Sequence, residues 1–240
     1  MTTVATAPMD RWETLPWKQL QRNVFKLQKR IYQAASREDV RTVHRLQRLL
    51  LKSRSARLLA VRRVAQENQG KRSAGVDGVK SLTPSQRLAL AQTLKRRQKA
   101  QPVRRVWIPK PQSPELRPLG IPVMANRAGQ ALVTAVLEPE WEARFEPNSY
   151  GFRPGRSCQD AIDAIFASIA GQAKYVLDAD IAQCFDRLSH SAILTAVHTS
   201  PSIRRQLKAW LTAGVVDNGK LFPTPVGTIQ GGNSTPPTML

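Results

Sequence analysis

Residues 175–181 read Tyr175-Val176-Leu177-Asp178-Ala179-Asp180-Ile181, an apolar run interrupted by two carboxylates. The run predicts a strand over residues 174–181, and successive side chains of a strand point to opposite faces. Asp178 and Asp180 would therefore share one face of the strand. The apolar residues between and around them would pack on the other face.

Two carboxylates on one face repel each other, and a divalent cation with oxygen ligands would offset that repulsion. Mg²⁺ is the usual cation beside phosphates. The alternative is that both residues cap the end of the strand, with Asp186 capping a following turn. Spacing alone leaves both interpretations open.

Charge is distributed unevenly along the 240 residues. Residues 1–100 carry 23 Lys and Arg against 6 Asp and Glu, whereas residues 101–240 carry 14 against 11, and the formal net charge is +20. This shift predicts a basic domain over 1–100 and a second domain over 101–240. Such a field attracts polyanions, so nucleic acid is the expected partner. An anionic membrane fits less well, because the basic segment lacks a wide apolar face with aromatic anchors.

Several protein classes are excluded by composition. No apolar run approaches the roughly 18 residues of a membrane span, and residues 1–10 carry no secretory signal. Two cysteines, Cys158 and Cys184, cannot make a disulfide framework, and no Cys/His cluster has zinc spacing. A reducing compartment is the default expectation.

The basic N-terminal residues show helical periodicity. A first helix is predicted over Trp17–Ala35, and Ser36 with Asp39 predicts a capping box for a second helix. A solvated helix face is one interpretation of the cations on these helices. Because almost no acidic residue offsets them, a phosphate-facing surface is favoured. The candidate nucleic-acid-binding residues are Arg41, Arg45, Arg48, Lys52, Arg62, Arg63, Lys71 and Arg72.

The rest of the chain alternates helices with short strands. In chain order the sequence first predicts a helix opened by Thr83 and Pro84, and then a strand over Val103–Pro109 with its return strand at 119–122. An apolar helix is predicted over 125–137, with a break at Pro139, followed by a helix capped by Ser157 and Asp160. The last predicted elements are a helix over 202–213 and a hairpin around Asp217-Asn218-Gly219.

Five motifs resemble one family. Asp180, followed five residues later by Phe185, resembles the first carboxylate motif of the reverse transcriptase palm. The blocks at 106–122, 148–157 and 227–232 resemble, in order, the fingers hairpin and two later blocks of group II intron reverse transcriptases. Residues 74–78 resemble their N-terminal extension. The chain is identified, from about residue 12 to 232, as a member of the group II intron-encoded reverse transcriptase/maturase family.

The resemblance implies an α+β fold, with a helical basic N-terminal region, the fingers and an incomplete palm. It implies RNA-directed DNA synthesis with Mg²⁺, group II intron RNA as partner, and a DNA primer or target and dNTP as further ligands. Asp180 and the Ile181 carbonyl would bind the metal directly, and Asp178 would support these ligands in catalysis without binding the metal itself. The implied nucleotide contacts are Lys110 and Arg117 at the triphosphate, Phe185 under the sugar, and Gln230.

The sequence also departs from the family. The later Tyr-Ala-Asp-Asp hairpin has no counterpart, Ile229 replaces the usual proline, and residues 233–240 contain two adjacent prolines. We therefore expect an N-terminal fragment, from a frameshift or early stop near codon 232, without polymerase activity. A non-catalytic RNA-binding module that assists intron folding and a truncated product without function are the alternatives. The expected location is the bacterial cytoplasm, or else an organelle, and the oligomeric state stays open.

Overall fold

The structure is a computed structural model that describes residues 11–94, 98–110, 114–171 and 173–228. Its helices are α1 (Trp17–Ala35), α2 (Val40–Lys52), α3 (Arg54–Arg62), α4 (Pro84–Thr93), α5 (Met124–Glu142), α6 (Cys158–Ile169), α7 (Cys184–Arg187), α8 (His190–Ala196) and α9 (Pro201–Leu211). Its strands are β1 (Val103–Pro109), β2 (Leu116–Ile121), β3 (Val215–Asp217) and β4 (Lys220–Phe222). A π-turn over Arg63–Glu67 follows α3, and 3₁₀ turns lie at Trp12–Thr14 and Gln69–Arg72.

The four described strands form one mixed sheet in the order β2-β1-β3-β4. β1 and β2 make an antiparallel hairpin, and β3 pairs in parallel with β1 through Val103 and Val215. β3 and β4 are joined by a two-residue turn in which Asn218 and Gly219 both have positive φ, 47° and 78°. This is the turn that an Asn-Gly pair favours. Both predicted hairpins are confirmed.

The core is built around α5, which contacts α1, α2 and α3. One continuous apolar cluster includes Ile31 of α1, Leu50 of α2, Leu137 of α5 and Leu207 of α9. Helices on both sides of residue 100 therefore share this core. The division into domains over 1–100 and 101–240 stays a prediction.

A buried polar link joins α5 to α2. Glu140 is only 1% exposed, and its carboxylate accepts a hydrogen bond from Gln47 Nε2 at 2.6 Å. Its other oxygen lies 2.7 Å from the Arg144 guanidinium. A buried carboxylate needs such partners, because unpaired charge is costly away from water. The three side chains thus fix the C-terminal end of α5 against α2.

The ends of three helices test the predicted caps. Thr83 and Ser157 cap α4 and α6, as predicted. Each forms a capping box, and the one at Thr83, completed by Gln86, was not predicted. The predicted Ser36 cap of α2 is wrong. Asp39 takes that position, with its carboxylate accepting from the Thr42 N–H at 3.0 Å, and hydrogen bonds from Thr42 lower the Asp39 pKa. The Ser36 hydroxyl instead donates to the Tyr32 carbonyl, so it finishes α1 rather than starting α2.

The predicted break at Pro139 is also wrong, because α5 continues through it to Glu142. A proline lacks the N–H that would donate to the carbonyl four residues earlier, which here belongs to Ala135. The side chain of Gln28 in α1 supplies the missing donor. Its Nε2 lies 2.9 Å from the Ala135 oxygen.

We expect Gln28→Ala to lower the free energy of unfolding by about 1–2 kcal/mol, because it leaves the Ala135 carbonyl without a donor. In a Pro139→Ala background, the backbone N–H at position 139 can donate instead, and the cost should fall below about 0.5 kcal/mol. Urea unfolding of the parent, both single variants and the double variant measures the difference. Equal costs in the two backgrounds would contradict this account of the helix.

The predicted strand over 174–181 is wrong. Residues 173–181 lie outside helix and strand, and their apolar side chains face water, with Leu177 89% and Ile181 71% exposed. A strand is stabilised by hydrogen bonds to a neighbouring strand and by an apolar face that packs. None of the four described strands lies beside this segment. The alternation of side chains alone was not sufficient to form a strand.

Candidate nucleic-acid interface

The basic face of α2 is formed by Arg41, Arg45, Arg48 and Lys52, all exposed. Steps of four, three and four residues place them in one row, on the side opposite the buried Val43, Leu46 and Leu50. α2 itself has no acidic residue. Within the described part of the chain, none of the four cations has a carboxylate within 4 Å. The charges of Arg41 and Arg45 help to lower the pKa of Asp39 at the start of α2, but all four cations stay exposed and can contact an external anion.

The other four candidate RNA-binding residues divide into two kinds. Arg63 and Arg72 are exposed. Arg62 is held by the protein, with Nε 2.7 Å from Glu67 Oε1 and its guanidinium 4.6 Å from the centre of a Trp17 ring. Lys71 Nζ donates to the Gln66 carbonyl. Arg62 and Lys71 thus have structural partners that the sequence analysis did not anticipate.

The β1–β2 hairpin brings Lys110 and Arg117 to the same face. Arg117 lies opposite Ile108, and the Lys110 N–H donates to the Glu115 carbonyl at 2.9 Å, which continues the ladder by one pair. Residues two positions apart share a face. Lys110 Nζ also lies 2.6 Å from Glu115 Oε2, and this hydrogen bond lowers the pKa of Glu115. A carboxylate therefore accompanies the two cations proposed for a triphosphate.

The predicted metal ligands lie on the exposed segment 173–181. Asp180 Oδ1 accepts a hydrogen bond from the Ile181 N–H at 2.9 Å, and Asp178 and Asp180 are both exposed. Over residues 11–94, 98–110, 114–171 and 173–228, no three His, Cys, Asp or Glu residues are grouped so that they could hold a metal. Mg²⁺ requires near-octahedral oxygen coordination with at least one well-placed carboxylate. The described residues thus show no grouped metal site, and Mg²⁺ binding by Asp180 and Ile181 stays a proposal.

Phe185 lies close to the start of the 227–232 block. Its carbonyl accepts from the Thr228 N–H at 2.6 Å, and His190 Nε2 lies 2.7 Å from the Gly227 oxygen. Gly227 has φ +84°, and a Cβ there would meet the Asp186 carbonyl at 2.7 Å, so only glycine fits. The structure thus brings Phe185 next to this block. Gln230 lies outside the described residues.

Sequence reasoning missed Arg127, which is buried near the start of α5. Its guanidinium donates to three backbone carbonyls, those of Pro122 at 2.7 Å, Gly70 at 2.8 Å and Ser73 at 2.6 Å. Burial lowers the pKa of Arg127. The signal was a single cation within an otherwise apolar helical run. Arg127 ties the loop after the N-terminal helices to the end of the hairpin.

Sequence reasoning also missed the role of Arg153, which organises the loop at 149–157. Its Nη2 lies 2.9 Å from Glu142 Oε2, and its Nη1 donates to the carbonyls of Glu146 and Ser149. The hydrogen bond to Glu142 raises the Arg153 pKa. The residue therefore positions a loop and is not free to bind an anion.

Two family models match the chain. The N-terminal domain of reverse transcriptase matches residues 12–94, and reverse transcriptase (RNA-dependent DNA polymerase) matches residues 108–239. The second match alone covers more than half of the chain. Among the described helices, none combines the length and apolarity needed to cross a membrane.

Three relatives agree with the family models. The group II intron-encoded protein LtrA of Lactococcus lactis subsp. cremoris is 36% identical over 57% of this chain and 23% of its own length. Protein YkfC of Escherichia coli K12 is 34% identical over 80% of this chain and 54% of its own length. Maturase-like protein 1 of Euglena gracilis is 30% identical over 71% of this chain and 38% of its own length. The chain thus spans about a quarter to a half of these relatives.

The motif order predicted from sequence and the mixed helix-and-sheet architecture agree with these matches. The predicted family and the predicted α+β class are both confirmed. By its two family matches and its relatives, the chain belongs to the reverse transcriptases, among the group II intron-encoded reverse transcriptases and maturases, and it covers their N-terminal region.

Proposed function

We propose that the chain binds group II intron RNA through the basic face of α2. The observation that carries this proposal is the row of exposed cations Arg41, Arg45, Arg48 and Lys52, none of which forms an ion pair within 4 Å among the described residues. The names of LtrA and the Euglena relative, group II intron-encoded and maturase-like, indicate the class of RNA.

The chemistry of the row favours contacts to phosphate. From the first cation to the last, the row extends about 16 Å along the helix. Its side chains are long and flexible, and none is held in a fixed geometry that would read a base edge. The major groove of double-stranded RNA is too deep and narrow for side chains to read, so a surface of this kind recognises mainly phosphates and shape. We propose that such binding assists folding of the RNA.

RNA-directed DNA synthesis is the second candidate, and it is the activity of the matched family. The shared face of Lys110 and Arg117 favours nucleotide binding, and the position of Phe185 beside Thr228 agrees with it. The exposed, ungrouped carboxylates argue against synthesis by the described residues alone. We therefore propose RNA binding as the activity of this chain. Roles for Gln230 and for Asp178, Asp180 and Ile181 in synthesis remain proposals.

Salt dependence tests the proposal directly. With four phosphate contacts, the logarithm of the association constant should fall with the logarithm of salt concentration with a slope near −3. Between 50 and 200 mM salt, that slope lowers affinity roughly 60-fold. Filter binding of the purified chain to a structured intron RNA measures it. A flat response would remove the electrostatic argument.

Asp180→Asn is the matched control for that titration. The Asp180 side chain lies on the 173–181 segment and not on α2, so RNA affinity should stay within twofold of the parent. Any primer extension in the presence of Mg²⁺ should disappear in the same variant. Loss of RNA binding in the Asp180→Asn protein would mean that the RNA contacts the 173–181 segment, and it would contradict binding through the basic face of α2 alone.

A further inference from the structure

A second basic surface lies on α1 and is not among the residues proposed above. Its exposed residues follow steps of four, three, four and three positions, which keeps them within about 80° of the helix circumference. They point away from the buried Leu20, Val24 and Ile31. We call this set the α1 stripe, and it consists of Lys18, Arg22, Phe25, Lys29 and Tyr32.

The α1 stripe combines three cations with two aromatic rings. Phe25 is 65% exposed and Tyr32 is 46% exposed, although both belong to a helix with a well-buried apolar side. In the described part of the chain, no ring–ring or cation–ring contact involves either of them. α1 contains five cations and no acidic residue. These rings are therefore presented to solvent in a positive field.

We propose that the α1 stripe binds an unpaired segment of RNA, with bases stacked on Phe25 and Tyr32 and phosphates at the flanking cations. The inference rests on RNA being the ligand, as proposed above, and adds the class of RNA structure that is recognised. Bases inside a duplex are stacked on one another and cannot reach an aromatic side chain. Bases in loops and bulges can, and every base has a face that stacks.

The spacing of the stripe suits this ligand. Phe25 and Tyr32 are two helical turns apart, about 10.5 Å along the axis, with Lys29 between them. α1 and α2 pack against each other, so the two basic surfaces lie on neighbouring helices. An RNA that seats paired phosphates on α2 can present an adjoining loop to α1.

An anionic membrane is the competing ligand for a basic helix with exposed aromatic residues. A helix that lies in a membrane interface buries a wide apolar face with several anchors. The α1 stripe has only two apolar side chains, each flanked by cations, and the wide apolar face of α1 is buried in the protein core. Nucleic acid is the better match.

The test compares two RNAs of equal length, a stem with a single-stranded loop and a fully paired duplex, in binding to the full chain. Phe25→Ala combined with Tyr32→Ala should weaken binding of the loop RNA by about 30-fold or more, the low end of the effect of removing two stacking rings. Binding of the duplex and the salt slope should change less than twofold. Phe25→Trp should retain affinity for the loop RNA, because tryptophan stacks as well.

Phe166→Ala is the matched control, since Phe166 is 69% exposed and belongs to α6 rather than to α1. It should leave both affinities unchanged. If the double variant binds the loop RNA as the parent does while binding stays salt-dependent, stacking is refuted and the proposed function stands. If the parent binds neither RNA, both proposals fail. Equal weakening of both RNAs, or Phe25-dependent binding to phosphatidylserine vesicles in preference to loop RNA, would also refute base stacking.

Discussion

Replacing Arg41, Arg45 and Arg48 together with glutamate is expected to weaken binding of structured RNA at least 100-fold at 100 mM salt. Three phosphate contacts disappear, and three carboxylates then face the phosphates at the same positions. Each lost contact removes roughly 0.7–0.9 from the salt slope, so the slope should fall by about 2 to 3. Filter binding over a salt series measures the affinity and the slope in one experiment.

A triple reversal on another helix separates position from net charge. Arg204, Arg205 and Lys208 are exposed on α9. Their replacement with glutamate changes the formal net charge by the same amount as the α2 reversal. We expect this control to weaken binding less than tenfold, because it alters only the long-range field. Equal losses in the two variants would mean that overall charge, and not the α2 face, governs binding. Far-UV circular dichroism checks that both variants fold.

Replacing Arg127 with methionine is expected to lower the free energy of unfolding by about 3–5 kcal/mol. Hydrogen bonds from a charged donor contribute about 1.5–3 kcal/mol each, and Arg127 gives one to each of three carbonyls. The net loss is smaller than the sum of the three, because the variant no longer buries a charge. Methionine fills a similar volume but donates nothing, so the carbonyls of Pro122, Gly70 and Ser73 lose their partner. Urea unfolding of the purified variant measures the loss.

Two further variants help to interpret the stability measured for Arg127→Met. Arg127→Lys should recover only part of the stability, because an ammonium group lacks the planar fork that reaches separate carbonyls. Arg37→Met, at an exposed position, should change stability by less than about 0.5 kcal/mol. An Arg127→Met protein within 1 kcal/mol of the parent would show that the loop at 70–73 is held by other contacts.

Local patterns predicted much of the fold. The α1 boundaries agree because Leu20, Val24 and Ile31 recur at helical spacing and are buried in the core. The β3–β4 hairpin agrees because Asn218 and Gly219 accept positive φ at little cost. In both cases the information lies within a few consecutive residues.

The failed predictions depend on distant partners. Pro139 continues α5 because Gln28, more than 100 residues earlier, supplies the donor that the proline lacks. The 174–181 segment has strand-like alternation but no described strand to pair with it. The residues around Pro139 do not show that Gln28 will supply a donor. The residues around 174–181 likewise do not show that a neighbouring strand will be missing.

In the candidate interface, too, local patterns predicted some features, whereas features that depend on distant contacts were missed. Helical spacing was sufficient to place Arg41, Arg45 and Arg48 in one exposed row. It was not sufficient to recognise that Arg62 packs over Trp17, or that Lys71 is held by the Gln66 carbonyl. Charge patterns identify which residues can reach solvent, and tertiary contacts decide which of them are already engaged.

The continuity of α5 has a mechanical consequence. Its first turn follows β2 after only two residues, and its last turn is locked to α2 through Glu140 and Gln47. One continuous helix therefore connects the α2 face that we propose binds RNA with the hairpin that carries Lys110 and Arg117. We expect that anchoring RNA on α2 also limits the range of orientations that the hairpin can take relative to that RNA.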